Sequence, residues 1–277
     1  MKNVAIIGLG WLGLPLAVAL KAEGYQVVGS KTTPDGVDAA RMAGIESYLL
    51  EITPEGEIAC DADDLSALLN VDALVITLPA RRTPEGSAHY LHAVQLLVDS
   101  ALAHQVPRIV LTSSTAVYGD APGRRQESSP LEPASHSGKA LVTLENWLHQ
   151  LPNTSVDILR LGGLVGQDRH PGRFLSGKLG LKNGSHGVNL VHQDDVIAAI
   201  QLLLRQPQGG HTYNLCAPQH PSKRDFYRHA ADRLGVPRPE FLDEAESEGK
   251  IVEGELICQE LGFSYRYPDP DRMPVNG

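Results

Sequence analysis

Residues 4 to 13 read "VAIIGLGWLG", a short apolar run that breaks into Gly8, Gly10 and Gly13 ahead of the apolar stretch "LPLAVALKAE". Three glycines spaced G-x-G-x-x-G at that junction predict a strand, a tight turn and a helix. The first glycine permits the turn, the second lets backbone approach a ligand closely, and the third lets the helix pack on the strand. The helix start then offers N–H groups and a positive dipole end to an anion. This is the pattern of a pyrophosphate-binding turn, and it expects Gly8, Gly10 and Gly13, with Trp11 and Leu12 between them, to contact a dinucleotide.

The rest of the chain agrees with that start. The apolar runs "VAIIG" (4–8), "YQVVG" (25–29), "SYLLEI" (47–52), "ALVITLP" (73–79), "RIVLTSS" (108–114) and "VDILRLGG" (156–163) alternate with segments of helical period. Such alternation predicts a parallel sheet covered by helices on both faces, with right-handed crossovers such as a helix over about 85–104 before the strand at Arg108. The fold class is α/β, a doubly wound parallel sheet of six strands. The N-terminus is apolar enough to resemble a signal peptide. Its early glycines and the following "KAEG" fit strand, turn and helix better, so neither a targeting segment nor a membrane span is expected.

Past about residue 165 the texture changes to the loop-like "GQDRHPGRFLSGKLGLKNGSHG", followed by a helical stretch, "SKRDFYRHAADRLG" (222–235). The expected organisation is a dinucleotide-binding domain over 1–165 and a small C-terminal lobe over 166–277 interleaved with it. A substrate is expected between that lobe and the carboxyl ends of the strands.

Composition removes other classes. With 277 residues, 42% of them hydrophobic, the chain can bury a substantial core, and its net charge of −9 without a basic run interleaved with aromatics argues against nucleic acid and anionic membranes as partners. Small molecules, or further copies of the chain, remain. Cys60, Cys216 and Cys258 are odd in number and far apart, which suits a reducing cytoplasm rather than a disulfide framework. His186, His192, His211 and His220 lack ligand spacing, so no metal site is expected.

The end of the second strand bears on cofactor choice, because an acidic residue there would bond the ribose hydroxyls of NAD and repel the phosphate of NADP. This chain has "VVGSKTT", and Ser30, Lys31 and Thr32 offer hydroxyls and a positive charge. NADP(H) is therefore favoured, with NAD(H) tolerated if Lys31 points away. Glu51, Leu78 and Pro79, at the ends of the next two strands, complete the expected cofactor contacts.

The stretch "SSTAVYG" (113–119), followed by "QESSPLEP" (126–133), "ILRLGGLVG" (158–166), "VNLVHQDDVIAAI" (188–200), "HTYNLCAP" and "ELGF", occurs in the order found in a known family. The chain resembles extended-type short-chain dehydrogenase/reductases, the NAD(P)-dependent epimerase/dehydratase-like class with a Rossmann domain. Within that class it resembles the atypical members that have lost catalytic residues. The resemblance implies that Ser114 polarises a substrate carbonyl beside a Tyr paired with a Lys four residues on. An ammonium one helical turn away lowers a phenol toward neutrality, which is why the chemistry needs that spacing.

Here the pair is missing. The family pattern P-x-S-x-Y-G-x-S-K-x-x-x-E lies on "PASHSGKALVTLE" with Pro133, Ser135, Gly138 and Glu145 matching, which puts Ser137 at the tyrosine position and Leu141 at the lysine position. Lys139 is two residues from Ser137, about 200° around a helix, and so faces elsewhere. Serine is too weak an acid to exchange protons unaided. His136 could serve as a base and Tyr118 as a phenol, or each could be a loop residue and a packed aromatic. Arg160, Arg173 and His192 sit in segments that in the family border the substrate, and together suit an anionic one. Asp194 and Asp195 are expected to cap the next helix.

Two functions are open at this point. One is an NAD(P)-dependent oxidoreductase or epimerase-like enzyme acting on a small polar or sugar-derived substrate. The other is a noncatalytic NADP(H)-binding sensor or scaffold. By resemblance, helices at about 85–104 and 137–149 would pair two copies into a homodimer.

Overall fold

A computed structural model describes residues 2–53 and 57–275. Its centre is a seven-stranded parallel sheet built from β1 (Asn3–Ile7), β2 (Gln26–Lys31), β3 (Glu46–Leu49), β4 (Ala73–Ile76), β5 (Arg108–Ser114), β6 (Ser155–Leu161) and β7 (Thr212–Leu215). The order across the sheet is β3-β2-β1-β4-β5-β6-β7. It reverses between β1 and β4, which pair directly from Val4 with Ala73 to Ile7 with Ile76. A ligand crevice forms at such a reversal, outside the carboxyl ends of the strands. Val4 to Ile7 and Ala73 to Ile76 are all fully buried, as strands covered on both faces must be.

The doubly wound sheet expected from the sequence is present, with one strand more. β7 runs parallel to β6: the Ile158 N–H donates to the His211 carbonyl, and the Gly162 N–H to that of Leu215. Its four residues, "TYNL", are too short and polar to stand out as an apolar run. The expected strand 47–52 divides. β3 ends at Leu49, and Glu51–Ile52 pairs instead with Ile58–Ala59 in a separate antiparallel ribbon.

The helices are α1 (Gly13–Ala22), α2 (Pro34–Met42), α3 (Ala62–Leu69), α4 (Pro84–Ala103), α5 (His136–Leu148), α6 (Gln193–Arg205), α7 (Lys223–Leu234) and α8 (Leu256–Leu261). Thr33, Asp61, Thr83 and Ser135 cap α2 to α5 by accepting from N–H groups of the first turn. Among the described residues no helix is long and apolar enough to cross a membrane.

Two compact units divide the chain. The first comprises residues 1–117, 132–159 and 200–212 and holds β1 to β5 with α1 to α5. At the amino ends of its strands Arg108 and Asp157 form a buried ion pair, with Arg108 Nη2 2.7 Å from Asp157 Oδ2; the other carboxylate oxygen accepts from the His211 backbone N–H and lies 2.9 Å from its Nδ1. The second unit comprises 118–131, 160–199 and 213–277. Val165, Val188, Leu190, Ala217, Phe226 and Met273 form its core, flanked by two short parallel pairs, Gly163–Val165 with Leu190–His192 and Gly123–Arg125 with Lys250–Val252.

Asp195 does not cap α6. Its carboxylate accepts from the backbone N–H groups of Arg266 (2.7 Å) and Tyr267 (3.2 Å) and so pins the C-terminal segment.

Candidate functional site

The glycine turn closes at the carboxyl end of β1, and its three glycines answer to different neighbours. Gly8 has φ +100°, a conformation that disfavours any side chain. At Gly13 a Cβ would come within 2.0 Å of the Gly8 carbonyl oxygen, so α1 can reach the turn only without one. At Gly10 an added Cβ would meet nothing within 4 Å. Protein packing therefore explains Gly8 and Gly13 but not Gly10, whose bare backbone borders open space. α1 also begins without a side-chain cap, unlike α2 to α5. A helix start without a side-chain cap beside an open, side-chain-free turn is what a pyrophosphate requires, and the residues present fit that group.

Ser30 does its work beneath the turn. It is 2% exposed, its Oγ accepts from the Gly8 N–H at 3.0 Å, and its carbonyl accepts from the Leu9 N–H. A hydroxyl held inside in this way differs from the outward phosphate contact expected of it. Lys31 is half-buried, with its stem beside Gly36 at the start of α2, while Thr32 and Glu51 are exposed. From β4, Thr77 Oγ1 donates to the Gly8 carbonyl at 2.7 Å, and Leu78 Cδ2 would lie 3.0 Å from a Cβ on Gly8. Leu78 and Trp11 are half-buried, Pro79 is exposed and Leu12 is buried.

Ser114 ends β5, half-buried, with its Oγ accepting from the Ala116 N–H at 3.1 Å. Its neighbour Ser113 lies on the opposite face of the strand and donates to the buried Glu145 of α5 at 2.6 Å. α5 is drawn close to the turn after Ser114 because Gly138 has no side chain: a Cβ there would sit 2.8 Å from the Ala116 carbonyl oxygen. On that helix Leu141 is 3% exposed and packed, Lys139 is exposed as expected, and His136 is exposed at the first turn. Ser137 is half-buried, its Oγ 3.2 Å from that of Ser135. The first unit thus brings together the glycine turn, Ser30, Thr77 and Leu78, and separately Ser114 with the start of α5.

Tyr118, Arg160, Arg173 and His192 belong to the second unit. Tyr118 is fully buried; it donates to Asn214 Oδ1 at 2.6 Å and accepts from Arg160 Nη1 at 2.9 Å, and the guanidinium lies over its ring. Burial pushes the phenol above its ordinary value, outweighing the lowering pull of Arg160. Arg160 also donates to the Glu127 carbonyl. His192 is 4% exposed, with Nδ1 3.1 Å from the Asp194 backbone N and Nε2 2.9 Å from the Pro274 carbonyl. Arg173 is exposed on the turn Pro171–Arg173. Two members of the basic trio, Arg160 and His192, are therefore buried and engaged within the unit, and Arg173 is exposed.

The same unit contains a cavity of about 390 Å³ between the loop at 126–128 and residues 253–259. Glu127, Glu253 and Glu255 line it, and burial raises the Glu127 carboxyl above the usual range. In the sequence this loop stood out only as a landmark. Arg81 and Arg82, in the loop leaving β4, also escaped notice, because they belong to no motif.

These features define a dinucleotide-binding α/β protein. A family model for the NAD dependent epimerase/dehydratase family matches residues 4–216, and the chain belongs to that family. Protein YeeZ of Escherichia coli (strain K12) is 61% identical over 276 residues, covering 99% of this chain and 100% of that protein. A short-chain dehydrogenase/reductase superfamily protein from Agrobacterium tumefaciens, solved with bound NAD, shares the fold at a TM-score of 0.78 and 21% identity over 98% of this chain and 94% of that one. A UDP-glucose 4-epimerase does so at 0.79 and 18%, over 98% and 95%.

Proposed function

We propose that the chain is an NADP(H)-dependent oxidoreductase or epimerase-like enzyme acting on a small polar, sugar-derived substrate. Gly10 carries the cofactor part of this reading, since its missing side chain serves no contact within the protein. Lys31 and Thr32 at the end of β2 favour the additional phosphate of NADP(H), with NAD(H) as the weaker ligand. Family membership and the likeness to a UDP-glucose 4-epimerase support the sugar-derived substrate.

A bound nicotinamide supplies or accepts the hydride. Ser114 then orients the reacting carbonyl or hydroxyl, and Ser137 with His136 replaces the proton-transfer pair. Tyr118 is left a structural role, because both sides of its hydroxyl are engaged. Cofactor binding falls to the 1–165 domain and further substrate recognition to the 166–277 lobe, including Arg173. The setting is the cytoplasm and the assembly a homodimer through α4 and α5, which sedimentation checks: a monomer at high concentration contradicts it.

Leu141 favours a second reading. An aliphatic side chain packed where the family carries its lysine suits a protein that binds NADP(H) without turning it over. Calorimetric titration with NADPH and NADH, followed by cofactor oxidation and reduction across sugars, nucleotide sugars and simple carbonyl compounds, separates the two. Turnover of any substrate establishes the enzyme. Tight NADPH binding with silence throughout, and activity gained by Ser137→Tyr with Leu141→Lys, establishes the noncatalytic protein.

A further inference from the structure

We propose that Arg81 and Arg82 form a recognition element for a negatively charged group, a carboxylate or a phosphate, on the substrate. The inference rests on the reading of the glycine-turn crevice as the cofactor site. It names the substrate class.

Both arginines follow the carboxyl end of β4, on the loop whose root is fastened to the glycine turn by Thr77 and Leu78. Both are exposed, and neither has an acidic partner among the described residues. Arg124 pairs with Glu248 at 3.0 Å, Arg238 with Asp232 at 2.6 Å and Arg272 with Asp269 at 3.5 Å, while exposed Arg41 and Arg233 donate to the carbonyls of Ser47 and Asp271. In a chain of net charge −9, two consecutive arginines without an acidic partner among the described residues are a local reversal of sign.

Arg81 is also held in place. Its carbonyl accepts from the hydroxyl of Ser87, which is 3% exposed. Its stem lies directly on Gly86 of α4, where a Cβ would come within 2.8 Å of Arg81 Cβ and 3.2 Å of its Cδ. The space that keeps the side chain on this line exists because residue 86 is glycine. An arginine whose stem is held on this line, followed directly by a second arginine, suits binding of a carboxylate or a phosphate.

The test compares the wild type with the double variant Arg81→Gln, Arg82→Gln. NADPH-loaded protein is titrated with glucuronate, a hexose phosphate and glucose. The charged sugars should bind and glucose should not, and the variant should lose about tenfold in affinity for them while its NADPH affinity stays within about twofold. The proposal is overturned if glucose binds as well as the charged sugars, if no charged sugar binds the wild type, or if the variant keeps that affinity. A tenfold loss of NADPH affinity in the variant overturns it as well, because the pair would then serve the cofactor. Cofactor-free protein is treated in parallel with phenylglyoxal and mapped by peptide mass spectrometry. Protection of Arg81 and Arg82 by hexose phosphate or glucuronate supports the anion site even if NADPH fails to bind, an outcome that would count against the cofactor reading alone. Absence of protection counts against the arginines.

Discussion

Gly10 and Gly13 belong to one motif, yet different forces keep them small. An alanine at residue 13 collides with the Gly8 carbonyl, so Gly13→Ala should cost about 1–3 kcal/mol in denaturant unfolding. Gly10→Ala should leave stability within about 0.5 kcal/mol while weakening NADPH by about tenfold in a calorimetric titration, because the new methyl group enters the ligand's space. Equal losses of stability at both positions would remove the distinction. Tyr118 poses the opposite question, a residue with suitable chemistry and no freedom to use it. Tyr118→Phe leaves buried Arg160 and Asn214 each short of a partner and should destabilise by about 1–3 kcal/mol. Lost turnover with unchanged stability would instead make the phenol a participant in proton transfer.

At the level of elements, the strand-to-helix junctions decide where ligands can act. α2 to α5 satisfy their starts with Thr33, Asp61, Thr83 and Ser135, whereas α1 begins without a side-chain cap beside the glycine turn. α5 could be placed from the sequence to within one residue, since Ser135, Gly138 and Glu145 mark its start and its packed face. What the sequence did not expose was why those landmarks are there: Ser135 caps the helix, Gly138 admits the Ala116 carbonyl, and Glu145 accepts from the Ser113 hydroxyl. β1 is fastened at its other end by Asp72, whose carboxylate accepts from the N–H groups of Lys2 and Asn3 at 2.6 and 2.9 Å and is thereby held below its usual range. A folded pKa below the unfolded one adds stability above the unfolded value and loses it as pH falls through the folded value. Asp72→Asn should therefore lower stability at neutral pH and flatten its decline below about pH 4, measured as unfolding midpoint against pH.

For the molecule as a whole, the edge of the sheet depends on contacts between distant segments. Asp157 receives Arg108 and His211, so Asp157→Ala strands a buried guanidinium and should cost about 3–5 kcal/mol in chemical denaturation, far more than loss of an exposed pair such as Arg238 with Asp232. The sequence by itself determined the alternating α/β order, the glycine turn and the start of α5. Each of these is written in neighbouring residues as apolar period, turn chemistry or capping. It did not determine the seventh strand, whose "TYNL" becomes a strand only through backbone pairing with β6. Nor did it determine the jobs of Ser30, Arg160, His192 and Asp195, because a polar side chain that looks available along the chain can be consumed by a partner far away in it. Only the tertiary structure decides which polar groups are spent on holding the fold and which, like the side chains of Arg81 and Arg82, keep no acidic partner among the described residues.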